Sequence, residues 1–129
     1  MSTRTPAPPL ASPKTTAVTS LAGWTALVLA PGDSLRMRSA TPTVLHAVAG
    51  VPMVRLVCDL LREVGCPRIV VVAGAPTDTL ATVLGEDVEL VDAQDAVGSA
   101  NAALRARATA GDHRNVLILR ADMPLISAR

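Results

Sequence analysis

Four short apolar runs alternate with helix-forming stretches along most of this chain, and that alternation constrains the fold more than any other feature. Residues 25–30 (TALVLA) end at Pro31-Gly32, and residues 68–73 (RIVVVA) end at Gly74. Residues 88–91 are a shorter run, and residues 115–119 (NVLIL) lead into Arg120-Ala121-Asp122. Apolar runs of this length, closed by turn residues, read as buried strands. A helix is predicted after Pro52, which suits a first turn. Met53, Leu56, Val57, Leu60, Leu61 and Val64 recur at three- and four-residue steps and make one apolar face. Gly65 followed by Pro67 stops it. Thr77 is expected to cap a short helix over residues 78–84. Residues 99–108 are rich in Ala and Arg and form a third helix by propensity. The expected fold class is therefore α/β, with a mostly parallel sheet and right-handed crossovers that place helices on both faces. Ligands of such sheets bind beyond the carboxyl ends of the strands. Residues 31–38, after the first strand, and Asp122, after the fourth, are the polar segments at those ends.

A chain of 129 residues allows one domain. Half of the residues are hydrophobic, but Trp24 is the only aromatic one, so the core must be built from Val, Leu, Ile, Ala and Met. The formal net charge of +1 supplies no long-range field for nucleic acid or an acidic membrane. Stacking platforms for single-stranded nucleic acid are missing too. No apolar run approaches the roughly 18 residues needed to span a membrane. Neither nucleic acid nor membrane is expected as a partner. Residues 1–23 contain Pro6, Pro8, Pro9 and Pro13, and no acidic residue precedes Asp33. They are read as a disordered tail, with the ordered domain at residues 24–129. Arg4 and Lys14 are too few for a transit peptide, and no secretory segment is present, so a cytoplasmic location is expected. Cys58 and Cys66 match neither a zinc nor a redox spacing and are taken as two thiols in a reducing cytosol.

Four segments, in order, carry a family resemblance. Residues 29–37 read LAPGDSLRM, beside a family loop LAAGxGTRM. Residues 42–53 read PTVLHAVAGVPM, beside PKVLHxLAGxPM. Residues 94–102 read QDAVGSANA, where the family has QxxxxGTGxA, and residues 121–126 read ADMPLI, beside GDxPLI. Over residues 25–127 the chain resembles the N-acetylglucosamine-1-phosphate uridylyltransferases and, more broadly, the MobA-like nucleotidyltransferases. The resemblance implies the N-terminal half of a Rossmann-like nucleotidyltransferase domain. It implies a reaction in which a sugar 1-phosphate attacks the α-phosphorus of a nucleoside triphosphate, UTP above all, and pyrophosphate leaves. Such chemistry rests on positioning and charge neutralisation.

By the same resemblance, Arg36 is the catalytic arginine and contacts phosphate. Leu29, Ala30, Gly32, Arg36, Gln94, Gly98 and Ser99 bind the nucleotide, and Asp122 holds a magnesium ion. His46 is assigned no chemistry. The chain departs from the pattern at Pro31, Ser34, Leu35, Thr43 and Ala121, which stand for Ala, Gly, Thr, Lys and Gly. Gln94 lies four residues before Gly98 rather than five, so either Gln94 or Ala93 occupies the base-reading position. The family's sugar pocket, second metal-binding residue and further strands come from later sequence. The expectations are an impaired or incomplete enzyme, inactive as this chain alone, with an open sheet edge available for self-association or a partner. The alternative is a non-catalytic remnant that binds a nucleotide or another protein.

Overall fold

A computed structural model describes residues 20–32, 34–112 and 115–128. The elements follow the expected alternation. Strand β1 is Trp24–Ala30, a short hairpin pairs β2 (Ala47–Val48) with β3 (Val51–Pro52), and α1 is Met53–Glu63. Then come β4 (Arg68–Ala73), α2 (Thr77–Leu84), β5 (Glu89–Asp92), α3 (Gly98–Arg105), α4 (Arg107–Ala110) and β6 (Asn115–Arg120). The sheet order is β5-β4-β1-β6, and every pairing in it is parallel. β1 and β4 are central and carry the apolar runs that need cover on both sides.

That cover comes from helices on both faces, as expected. Alternate β1 residues Ala26, Val28 and Ala30 join Ile69, Val71 and Ala73 of β4 under α1 and α2. The other face of the same strands, Leu27, Leu29, Val70 and Val72, packs with Ala106 and Ala110 at the end of the α3–α4 segment. This second layer is thin. α3 contributes no buried residue, and Val116 and Ile118 of the edge strand β6 remain exposed. β6 pairs only with β1 among the described residues, so its outer edge is open.

Several local expectations are corrected. The core stripe of α1 is Val54, Val57, Cys58 and Leu61, an i, i+3, i+4, i+7 set. Met53, Leu56 and Leu60 flank it, half-buried. Taking Cys58 as a mere thiol and omitting Val54 rotated the predicted face. α2 begins at Thr77 itself, and no side chain caps it. The third predicted helix breaks at Ala106, whose amide donates back three residues to Ala103. The third strand is Glu89–Asp92, one residue later than read. Residues 31–43, read as plain loop, contain a 3₁₀ turn at Leu35–Met37 and the start of another at Thr43–Leu45. The 47–52 hairpin was missed. Its tight turn holds both Ala49 and Gly50 at positive φ, as a two-residue primed turn requires, and Ala is a poor signal for it. The expected tail lies, through residue 19, outside the described residues. Its last part is packed: Leu21 is buried, and its amide donates to the Val64 carbonyl at 2.8 Å.

Burial pushes the Cys58 thiol up to about 12 from its ordinary 9.0. The unfolded chain releases that proton first as pH rises, so it binds fewer protons than the native state. Unfolding free energy should therefore fall between about pH 9 and pH 12, by up to about 1.4 kcal/mol per pH unit. Cys58→Ala, scanned by urea melts against pH, should flatten that slope. A slope unchanged by the substitution would refute the assignment.

Candidate functional site

The parallel register brings the carboxyl ends of β1, β4 and β6 to one side of the sheet. The Gly74 amide donates to the Ala30 carbonyl at 2.7 Å, and the Ala121 amide to the Leu29 carbonyl at 2.8 Å. A cleft of about 1460 Å³ opens there. Leu29, Ala30, Gly32, Arg36, Gln94, Gly98, Ser99 and Asp122, the residues singled out from sequence, all line it. They come from three separate segments of the chain. Thr43 and His46 also line the cleft.

The loop after β1 is held in two ways. Gly32 lies directly against Gly74: a Cβ built on Gly32 would stand 1.9 Å from the Gly74 carbonyl oxygen. Only glycine allows two main chains to approach so closely. Further on, the Ser34 hydroxyl donates to the Ser39 carbonyl and closes the turn that carries Arg36. The serine that replaces the family's second glycine thus has a structural role. Arg36 itself is exposed on the cleft rim.

Across the cleft, α3 starts at Gly98, whose φ of +82° favours glycine. No side chain caps the first amides of α3, and uncapped first-turn amides favour anions. Ser99 follows in that turn. Ala93 and Gln94 both line the cleft. Ala93 is buried in the second-face core and donates its amide to Ala73, whereas Gln94 is exposed and carries the only side-chain amide at this position. His46 accompanies them, but its Nε2 lies 3.2 Å from the Thr41 carbonyl. A carbonyl only accepts, so that nitrogen donates, and the ring braces the loop.

Asp122 does not stand alone. Arg120, the last residue of β6, donates from Nε to Asp122 Oδ1 at 2.9 Å and from a terminal nitrogen to Oδ2 at 2.7 Å. These hydrogen bonds hold the Asp122 carboxyl below the usual carboxylate range. Partial burial works against them, and the charges of Arg120 and Arg36 work with them. Asp122 is the only acidic side chain among the described residues that line the cleft. No group of three or more His, Cys, Asp or Glu side chains that could hold a metal ion occurs among the described residues. Among the described cleft residues, the one carboxylate that could hold magnesium together with phosphate oxygens is Asp122, and both of its oxygens accept from the Arg120 guanidinium.

Residues 26–129 match the MobA-like NTP transferase domain. The chain belongs to that family. It is 36% identical over 106 residues to the bifunctional protein GlmU of Thermoanaerobacter pseudethanolicus, covering 82% of this chain and 23% of that protein. It is 41% identical over 103 residues to the bifunctional protein GlmU of Chromohalobacter salexigens, covering 79% of this chain and 22% of that protein. The chain thus spans about a quarter of the length of these curated relatives. Within this MobA-like domain, two residues of the cleft escaped the sequence reading. The sequence reads Gly74 as part of a turn, and Arg120 as the residue after a strand that ends at Leu119, whereas β6 runs through Arg120. Strand spacing gives no signal for Arg120, because β6 ends there and Asp122 lies in the turn that follows. No helix among the described residues is long and apolar enough to cross a membrane.

Proposed function

We propose that the cleft binds a nucleoside triphosphate, UTP, and that the chain is the nucleotide-binding part of a uridylyltransferase acting on a sugar 1-phosphate, N-acetylglucosamine 1-phosphate. A phosphate oxygen of the sugar attacks the α-phosphorus, the bond from that phosphorus to the bridging oxygen breaks, and pyrophosphate leaves. The observation that carries this reading is the convergence of all the family-matched residues on one cleft at the carboxyl ends of the strands. Gly32 lets the main chain come close to phosphate, the first amides of α3 and Ser99 offer donors, Arg36 offsets charge on the leaving group, and Gln94 faces the base. Preorganised donors of this kind supply most of the rate in such reactions.

Isothermal titration with UTP and GTP side by side tests it. UTP should bind, and more tightly than GTP. No heat with either nucleotide would sink the reading. Thr43→Lys with Leu35→Thr restores the family's cation and hydroxyl to the cleft, and should tighten UTP binding about tenfold or more, the worth of one charge-assisted hydrogen bond.

The second reading is a nucleotide-binding domain without catalysis. Thr43 and Leu35 in place of Lys and Thr favour it, as does the Asp122 carboxylate already held by Arg120. A pyrophosphate-release assay with N-acetylglucosamine 1-phosphate separates the two. This chain alone should give no turnover, and robust product would rule the second reading out.

A further inference from the structure

Arg36 sits on the rim of the cleft inside a closed turn. Ser34 closes that turn twice. Its carbonyl accepts from the Met37 amide at 3.0 Å, and its hydroxyl donates to the Ser39 carbonyl on the other side of Arg36. Between them the Arg38 amide donates to the Leu35 carbonyl at 3.4 Å, with Arg38 itself at a φ of +47°. The hydrogen bonds then continue toward the core. The Ser39 hydroxyl accepts from the Thr41 amide at 3.1 Å, and His46 Nε2 donates to the Thr41 carbonyl at 3.2 Å. The His46 carbonyl accepts from the amide of Met53, the first residue of α1, at 3.0 Å. Val54, next in that helix, is fully buried. A strap of hydrogen bonds therefore leads from the arginine turn to a helix of the core.

Leu35, Arg36 and Met37 line the cleft, whereas Ser34 does not. Whatever Ser34 does for a ligand there, it does through the turn it closes. A loop that orders itself only when a ligand arrives loses affinity to that ordering, and a loop already fixed does not. The main-chain bonds of the turn span three residues each and leave the distance from residue 34 to residue 39 open. The Ser34 hydroxyl fixes it, and the glycine of the family loop has no such group. We propose that Ser34 is a positioning residue for a polyphosphate ligand: its bond to Ser39, backed by His46, holds the Arg36 turn in its binding conformation before the ligand arrives. This inference rests on the nucleotide reading above for its ligand, while the holding of the turn stands apart from it.

The test titrates UTP and UMP into the natural chain, Ser34→Ala, Ser34→Thr, Arg36→Gln and the double variant Ser34→Ala with Arg36→Gln. Thermal melts check that each is folded. Arg36→Gln should weaken UTP binding about tenfold or more, and Ser34→Ala about fivefold or more. Ser34→Thr keeps the hydroxyl and should recover most of the Ser34→Ala loss. The double variant should bind UTP within about twofold of Arg36→Gln alone, because Ser34 acts through Arg36. UMP lacks the phosphates that Arg36 serves, so Ser34→Ala should leave its binding within about twofold of the natural chain. Separately, and without nucleotide, amide hydrogen exchange over residues 35–41 should run about fivefold faster in Ser34→Ala. UTP bound as tightly by Ser34→Ala as by the natural chain would overturn the proposal. So would losses that multiply in the double variant, UMP weakened as much as UTP, or an exchange rate that Ser34→Ala leaves unchanged. If UTP gives no heat with any of these chains but Ser34→Ala speeds the exchange, the nucleotide reading fails and the holding of the Arg36 turn by Ser34 stands.

Discussion

Gly32→Ala should destabilise the domain by about 3 kcal/mol and abolish UTP binding with it. The added methyl would lie 1.9 Å from the Gly74 carbonyl oxygen and 2.6 Å from its carbon. Both are backbone atoms at the end of a central strand, so no side chain can swing aside. Either the loop that carries Arg36 lifts away from β4, or the bond from the Gly74 amide to Ala30 stretches. Gly74→Ala tests the contact from the other side, since its Cβ would meet the Gly32 nitrogen at 2.6 Å. Once either substitution has parted the chains, the second costs little, so the double variant should lose clearly less than the sum of the two. Urea denaturation of the four proteins measures this. An unfolding midpoint unchanged in Gly32→Ala would show that the two main chains are not in contact.

Leu61→Ala should cost about 2–5 kcal/mol, while Leu104→Ala should stay within about 0.5 kcal/mol of the natural chain. Both are leucines in helices that flank the same sheet. Leu61 is 1% exposed, at the centre of the stripe that α1 presses onto β1 and β4, and its removal leaves a cavity among β-branched neighbours that cannot close over it. Leu104 is 62% exposed on α3, which buries no residue of its own. The pair therefore measures how unequally the two helical layers support the sheet. Comparable losses would mean that α3 packs more closely than its exposure indicates.

The core of this fold was legible because its signals are local. Ile69 through Ala73 form an unbroken buried run, and a strand in the middle of a parallel sheet has to look like that. The helix over residues 53–63 announced itself through its period and its Gly65 stop. Errors fell where the signal is weak or a tertiary contact overrides it. Ala49 accepts a positive φ inside the missed hairpin, Ala106 breaks a good helix former to reach the core, and Leu21 leaves the expected tail to bond with Val64.

The site divides along the same line. Its parts were readable from motifs: Gly32 and Arg36 after the first strand, Gln94, Gly98 and Ser99 after the third, and Asp122 after the fourth. The order of those motifs along the chain determined the family, and the alternation of strands and helices determined the sheet. What only the tertiary structure decided was who touches whom. The β1–β4 register sets Gly32 on Gly74, and the path of the chain leaving β6 turns Arg120 onto Asp122. Periodicity and turn chemistry act between residues a few positions apart and can be read one segment at a time. The approach of one backbone to another depends on distances of a few ångströms that exist only after β1 and β4 are in register, and the contact of Arg120 with Asp122 depends on the turn by which the chain leaves β6.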